Sequence, residues 1–175
     1  MPGLLVFLLV GYPSAAHAQS FAVHASAGPT LIDSGYSLAA GVGFFPDSPL
    51  AILVGVERTH LSTETSAEGR DSFSTFRGGT LTLAAAELRV APFGRDRVGP
   101  YGLVGFAAGR SRPNVNAQFP ESVTNDVRAA LFGGGLYVPL GARASLFADG
   151  RLMIGSEGGE LLAVAPIRIG LAWRF

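Results

Sequence analysis

The sequence predicts an all-β fold: an eight-stranded antiparallel up-and-down transmembrane β-barrel. Three observations predict it. Eight weakly alternating segments follow one another between polar or Pro/Gly-containing connections. Those connections differ systematically in length between the two ends, and the charges within the segments keep largely to one side-chain parity. Composition narrows the field first. Of 175 residues, 48% are apolar and 15% charged, with 24 Gly and 11 Pro, which suits a single domain with a sizeable core. Thirteen basic residues balance 13 acidic ones, so there is no basic footprint for nucleic acid. With no Cys, disulfide frameworks, thiolate catalysis and Cys-based zinc sites are excluded. Glycine at this level without a Gly-X-Y period is not collagen, and it works against a helical bundle because interior Gly weakens helices.

Residues 1–18 are read as a secretory signal peptide. Leu4 to Val10 is an unbroken apolar run, too short to span a bilayer as a helix, and it leads to the small-x-small triplet Ala16-His17-Ala18. Residues 19–175 are then the barrel domain. Its strands are expected at Ser20–Gly28, Ser37–Phe45, Ala51–Leu61, Gly78–Ala91, Gly99–Arg110, Arg128–Val138, Arg143–Gly155 and Leu161–Phe175. An even strand number and lengths near 10 residues fit a tilted barrel across a bilayer of about 30 Å. Tight turns at Pro46–Pro49, Pro92–Arg97 and Pro139–Ala142 follow the second, fourth and sixth strands. Longer polar loops, Ser62–Arg77 and Ser111–Val127, lie at the other end with Pro29–Tyr36 and Ser156–Glu160. Short turns and both termini on one side is the arrangement of outer-membrane barrels with periplasmic ends.

Neighbours along a strand point to opposite faces, and a membrane barrel keeps its charges on the lumen face. In the seventh strand Arg143, Asp149 and Arg151 alternate with Ala144, Leu146, Ala148, Leu152 and Ile154. In the eighth, Arg168 and Arg174 alternate with Ile167, Ile169, Leu171, Trp173 and Phe175. Glu57 opposes Ile52, Val54 and Val56, while Glu87 and Arg89 share a face with Leu81 and Leu83. The predicted lumen network is Glu57, Glu87, Arg89, Arg143, Asp149, Arg151, Arg168 and Arg174, paired across the interior because an unpartnered buried charge is costly. Facing in the Gly/Ala-rich fourth to sixth strands is weakly specified. An aromatic girdle is expected on the short-turn side from Phe21, Phe44, Phe45, Tyr101, Tyr137, Trp173 and Phe175, with Phe93 in the adjoining turn.

The terminal Ile167-Arg-Ile-Gly-Leu-Ala-Trp-Arg-Phe175 and the glycine strand Gly99-Pro-Tyr-Gly-Leu-Val-Gly-Phe-Ala-Ala-Gly109 resemble the outer-membrane-protein β-barrel superfamily, the small barrels related to the OmpA transmembrane domain. The resemblance implies a terminal barrel-assembly signal at Phe175, recognised by the barrel-assembly machinery, and outer-membrane lipid and lipopolysaccharide as surroundings. No peptidoglycan-binding domain is expected after the barrel, so wall tethering is not carried over.

Function then rests on lumen and loops. An eight-stranded barrel is just wide enough to be filled by its own side chains, which disfavours a wide pore. The expected role is structural or surface-interacting, through extracellular loops and an unidentified extracellular ligand, with no catalysis and no cofactor. Alternatives are a narrow ion-conducting pore, a soluble lipocalin-like carrier, for which an apolar lumen would argue, and a lipid A esterase. The loops supply Glu64, Glu68, Arg70, Asp71 and Arg77, then Arg112, Asn114, Asn116, Glu121, Asn125 and Asp126, with Phe73, Phe76 and Phe119 as candidate anchors. His24-Ala25-Ser26 and His60-Leu61-Ser62, the latter followed by Glu64, have spacing that puts a His and a Ser on one strand face. No further segment supports esterase chemistry. Gly41-x-Gly43 lacks the helix and third Gly of a dinucleotide loop, and no His/carboxylate cluster marks a metal site.

Overall fold

The computed structural model describes residues 21–32, 34–45, 49–67, 73–76, 78–93, 97–115, 120–121 and 123–175, with backbone only for 64–67 and 73–76. The expected leader lies outside the described residues, as do Glu68, Arg70, Asp71, Arg77, Asn116 and Phe119. Among the described residues eleven strands succeed one another: β1 Phe21–Pro29, β2 Gly35–Phe44, β3 Leu50–Leu61, β4 Glu64–Ala67, β5 Phe73–Phe76, β6 Gly79–Val90, β7 Gly99–Pro113, β8 Asn125–Pro139, β9 Ala144–Glu157, β10 Glu160–Val164 and β11 Ile167–Arg174.

Every neighbouring pair is antiparallel, and β11 pairs with β1 to close the ring. Eight staves result, because β10 and β11 are halves of one stave: Val164↔Met153 and Ile167↔Gly150 keep a single register against β9. Pro166 interrupts the hydrogen bonding between them, having no N–H to give. Its carbonyl still accepts from Arg151 N–H at 3.0 Å, and it bridges Thr30 on the other side. The expected eight-stranded barrel is the observed fold.

Following the pairing from Phe21 through Phe44, Ile52, Leu88, Val104, Phe132 and Leu152 to Ala165 returns the path to Leu31, ten residues above its start. That stagger goes with strands tilted by about 35–45° to the barrel axis.

Boundaries differ from expectation at the loop end. β7 and β8 run on to Pro113 and from Asn125, so the ladder extends to the pair Ser111↔Asn125. The Ser62–Arg77 connection contains its own hairpin, β4–β5. Ser156–Glu160 closes to a tight turn in which Gly158 and Gly159 have φ of 59° and 97°, a conformation that suits glycine.

Parity decides the two faces. Even positions point inward on β1 and on the β10/β11 stave, and odd positions on the remaining staves, including the ambiguous fourth to sixth. Outside, Val23, Val42, Val54, Val56, Val104, Phe106, Ile169 and Leu171 are exposed all round the ring. Water-soluble monomers rarely expose apolar patches larger than a few hundred Å². Inside, β-branched and long side chains meet across a narrow lumen. His24 is accommodated because Gly41 faces it from β2; a Cβ there would lie 2.8 Å from His24 Nε2 and 2.3 Å from the Val54 carbonyl oxygen.

Candidate functional site

The lumen is filled in three layers. At the turn end lies an aromatic layer of Ala91, Tyr101, Leu103, Tyr137, Phe147 and Ala172. Tyr101, Tyr137 and Phe45 were expected in the outer girdle, but they sit at odd positions of β7, β8 and the end of β2. Tyr101 and Tyr137 are buried, and Phe45 is half-buried beside Arg89 and both tyrosines. Their hydroxyls explain the inward facing of the two tyrosines. Tyr101 donates to Asp149 Oδ2 at 2.7 Å and Tyr137 donates to Ser145 Oγ, partners that only the inward face supplies. Phe21, Phe44, Trp173 and Phe175 do point outward around the turn-side rim, where Phe21 and Phe44 lie 5.2 Å apart.

The middle layer holds three guanidinium groups and three carboxylates. Arg151 grips Asp149 on its own strand through Nε to Oδ1 at 2.8 Å and NH2 to Oδ2 at 3.1 Å, and reaches Glu87 through NH1. Arg89 NH2 contacts Glu87 Oε2 at 3.3 Å and approaches Asp149 Oδ2 at 3.9 Å. Its guanidinium lies between the rings of Tyr101 and Phe147, 5.1 Å from each centroid, a placement in which ring faces offset lost hydration. Arg168, 1% exposed, donates from NH1 to Glu57 Oε2 at 2.8 Å, while its Nε lies 3.7 Å from Asp149 Oδ1. Ser37 and Thr59 donate to Glu57 Oε1 at 2.9 and 3.3 Å. Each charge thus meets an opposite charge within the low-dielectric interior, the condition for tolerating it there.

Not all the expected network residues enter this layer. Arg143 is exposed in the turn before β9, because that strand starts one residue later, at Ala144. Arg174 is half-buried at the turn-side mouth, donating from NH2 to the Tyr137 hydroxyl at 2.9 Å. Sequence reasoning missed Ser37, Thr59 and Tyr101 as partners. Thr59 was legible from its two-residue spacing to Glu57; Ser37 and Tyr101 required the cross-barrel register.

Toward the loops the lumen becomes apolar. Leu61, Leu81, Leu83, Ala107, Val127, Ala129, Leu131, Met153, Leu162 and Val164 form one buried cluster. The charged lumen expected from sequence is therefore only one layer of it, since the leucines on the Glu87 face of β6 point inward with it. The apolar layer is packed, with Leu131 and Val164 fully inaccessible. Within the lumen, the cavity beside His24, Glu57, Glu87, Arg151 and Arg168 is about 10 Å³, and another beside Phe45, Arg89 and the tyrosines is about 20 Å³. These are water-sized.

Above the apolar layer opens a loop-side mouth of about 620 Å³, floored by Leu61, Leu81 and Leu162. Ser111 donates to Glu157 on its wall, and Asn114 Nδ2 reaches the Leu61 carbonyl and Thr63 Oγ1, each at 3.2 Å. Of the two His-x-Ser pairs, His24 and Ser26 share the lumen, where neither ring nitrogen of His24 has a hydrogen-bond partner. His60 faces outward, its Nδ1 3.4 Å from Thr80 Oγ1 and its ring tilted against that of Tyr36 at 5.4 Å. Among the described residues no group of three His, Asp or Glu side chains could hold a metal ion.

No family model and no curated protein sequence matches the chain. Solved structures do. The N-terminal β-barrel domain of Pseudomonas aeruginosa OprF superposes with a TM-score of 0.63 at 14% identity, covering 91% of this chain and 100% of that one. A major outer membrane protein from Thermus thermophilus gives 0.54 at 18% identity over 91% and 100% of the two chains. Ail, the attachment invasion locus protein of Yersinia pestis, solved with the heparin analogue sucrose octasulfate, gives 0.52 at 15% identity over the same shares. The fold is that of the small outer-membrane β-barrels, OmpA-like and Ail-like in architecture. At these identities the likeness is one of fold.

Proposed function

We propose that the protein is an integral outer-membrane barrel with a structural or surface-interaction role, its termini on the periplasmic side and its longer loops outside. The observation that carries this is the inversion of an ordinary soluble protein. A ring of exposed Val, Ile, Leu and Phe encloses an interior in which Arg89, Arg151 and Arg168 pair with Glu57, Glu87 and Asp149. Only a hydrocarbon surround makes that outer face stable, and a closed ring leaves no backbone edge unsatisfied in it. Among the fold neighbours, the Thermus thermophilus protein is described as a major outer membrane protein, which supports the same compartment.

The exposed terminal Phe175 fits an assembly signal read by the barrel-assembly machinery. The lumen favours a plug over the alternatives. A narrow ion path would have to cross the packed Leu83, Leu131 and Met153 layer, and a lipocalin-like ligand would find no cavity of its size there. Surface interaction then belongs to the loop side, where the mouth presents polar walls over an apolar floor to an extracellular ligand. No catalytic role is assigned to His24 or His60.

Fractionation of cells expressing the full chain, with gel mobility compared before and after boiling, tests this reading. Recovery in the outer membrane with a heat-modifiable band is expected. Recovery as a soluble periplasmic protein would overturn it.

A further inference from the structure

The ring is not closed over its whole height. Along the β10/β11 stave the backbone groups of successive residues point alternately to the two neighbouring staves. Even positions face β9, where Arg151 N–H donates to the Pro166 carbonyl at 3.0 Å. Odd positions face β1, where Leu31 N–H donates to the Ala165 carbonyl at 2.8 Å and Phe175 N–H to the Phe21 carbonyl at 3.1 Å. Leu161 and Ala163 are odd, so their N–H and C=O groups point to the β1 side. There β1 has already ended, at Pro29, and the chain returns into β2 through a turn closed by Thr30 N–H on the Gly35 carbonyl at 3.1 Å. Among the described residues, β10 pairs with β9 and with no strand on its other side.

The open edge lies at the loop end, because the stagger around the ring lifts β10 past the β1–β2 turn. The neighbouring ladders, by contrast, run up to their loops, as in Gly35↔Leu61, Leu61↔Gly79, Ser111↔Asn125 and Val127↔Glu157. Native proteins usually blunt a free edge with proline, charge or a covering segment. From Leu161 to Val164 this one carries neither proline nor charge. Its surroundings are apolar outside and acidic inside. Leu161 is 82% exposed, with Leu31 and Ile32 exposed beside it. On the lumen side Leu161, Leu162 and Ala163 border the loop-side mouth, whose wall also carries Glu157 and Glu160.

We propose that this edge is a docking site for an extended polypeptide segment of an extracellular partner, which adds a strand beside β10. The backbone groups of Leu161 and Ala163 offer donors and acceptors at the two-residue spacing that another extended backbone matches. Side chains of the added strand then alternate between two surfaces. One set meets Leu31 and Leu161 on the outside, which suits apolar residues. The other lies over the mouth beside Glu157 and Glu160, which suits basic ones. A lipid or a sugar has no such alternation of backbone groups and side chains.

The inference deepens the surface-interaction reading above and rests on it, and the test separates the two. The full chain, folded into phosphatidylcholine nanodiscs, is probed with a short peptide alternating valine and lysine and with the same peptide N-methylated along its backbone. Amide hydrogen exchange is read residue by residue, and heat-modifiable mobility of the same samples reports barrel formation. In the free barrel Leu162 and Val164 should be protected through β9, while Leu161 and Ala163 exchange freely. The peptide at about ten times its dissociation constant should slow Leu161 and Ala163 roughly tenfold, and the N-methylated peptide should not. Ala163→Pro removes an edge donor without touching the β9 ladder, and it should abolish the slowing at Leu161. In a barrel that has entered the bilayer, three results overturn the edge alone: Leu161 and Ala163 as protected as Val164 without peptide, no slowing by the unmethylated peptide, or equal slowing by both. Slowing that appears without peptide as barrel concentration rises assigns the edge to a second copy and overturns the proposal. Failure to enter the bilayer overturns the membrane reading with it.

Discussion

Arg168 and Glu57 are joined across the barrel by a 2.8 Å hydrogen bond between residues 111 positions apart. Arg168 belongs to β11 and Glu57 to β3, staves that share no backbone ladder. The bond therefore crosses the lumen, and Ser37 and Thr59 hold the far carboxylate for it.

Removing one end of this pair should be far worse than removing both. Arg168→Met leaves Glu57 buried beside two hydroxyls, and a loss of about 3–5 kcal/mol is expected, while Arg168→Met with Glu57→Met should recover most of it. Denaturant unfolding in lipid vesicles measures the cycle; additive losses would show that the pair is not coupled.

Facing on β11 predicts a contrast between adjacent residues. Ile169 is 60% exposed and Arg168 1%, so Ile169→Arg puts a charge into hydrocarbon and should cost about 2–4 kcal/mol near the midplane. Leu171→Arg should also impair insertion. Arg168→Gln should permit insertion and act on lumen pairing. Equal insertion of all three variants into vesicles would contradict the assigned faces.

The packed apolar layer should keep the lumen closed. Vesicles containing the protein are expected to exclude small sugars in a swelling assay, and truncating the turn-end layer by Tyr101→Ala and Tyr137→Ala should not open them, because Leu83, Leu131 and Met153 lie further along the path. Swelling caused by the tyrosine truncations alone would locate the closure in the wrong layer.

At the β9–β10 turn, Gly159 has φ of 97° and Gly158 59°. Gly159→Val should destabilise by about 1–3 kcal/mol, whereas Gly158→Asn should be nearly neutral because Asn visits the left-handed region. Unfolding midpoints of the two variants check the difference.

The fold was legible because a closed barrel with unlike inner and outer faces writes its period into the chain. On β9 and β11 the charged residues Asp149, Arg151 and Arg168 keep to one face and the large apolar residues Leu152, Ile154, Ile167, Ile169 and Leu171 to the other, so face and register follow together. On β7 and β8 the outward positions include Gly102, Ala108, Ala130 and Gly134, side chains too small to mark lipid, and parity could not be read locally. The site was legible as charges and not as layers. That Tyr101 serves Asp149, 48 positions away, depends on the stagger around the ring, which no local pattern encodes. The Arg143 reading failed by a single residue of strand start.

The seam between β1 and β11 pairs Ala22 with Arg174, and Phe175 N–H donates to the Phe21 carbonyl at 3.1 Å. Closure therefore waits for β11 to reach β1. Until then the growing chain holds two unsatisfied strand edges and an unburied set of charges, with no partial barrel to shelter either. Such a chain commits late, in a step dominated by very non-local pairing and correspondingly slow. The seam therefore makes ring closure the step most exposed to edge-to-edge association.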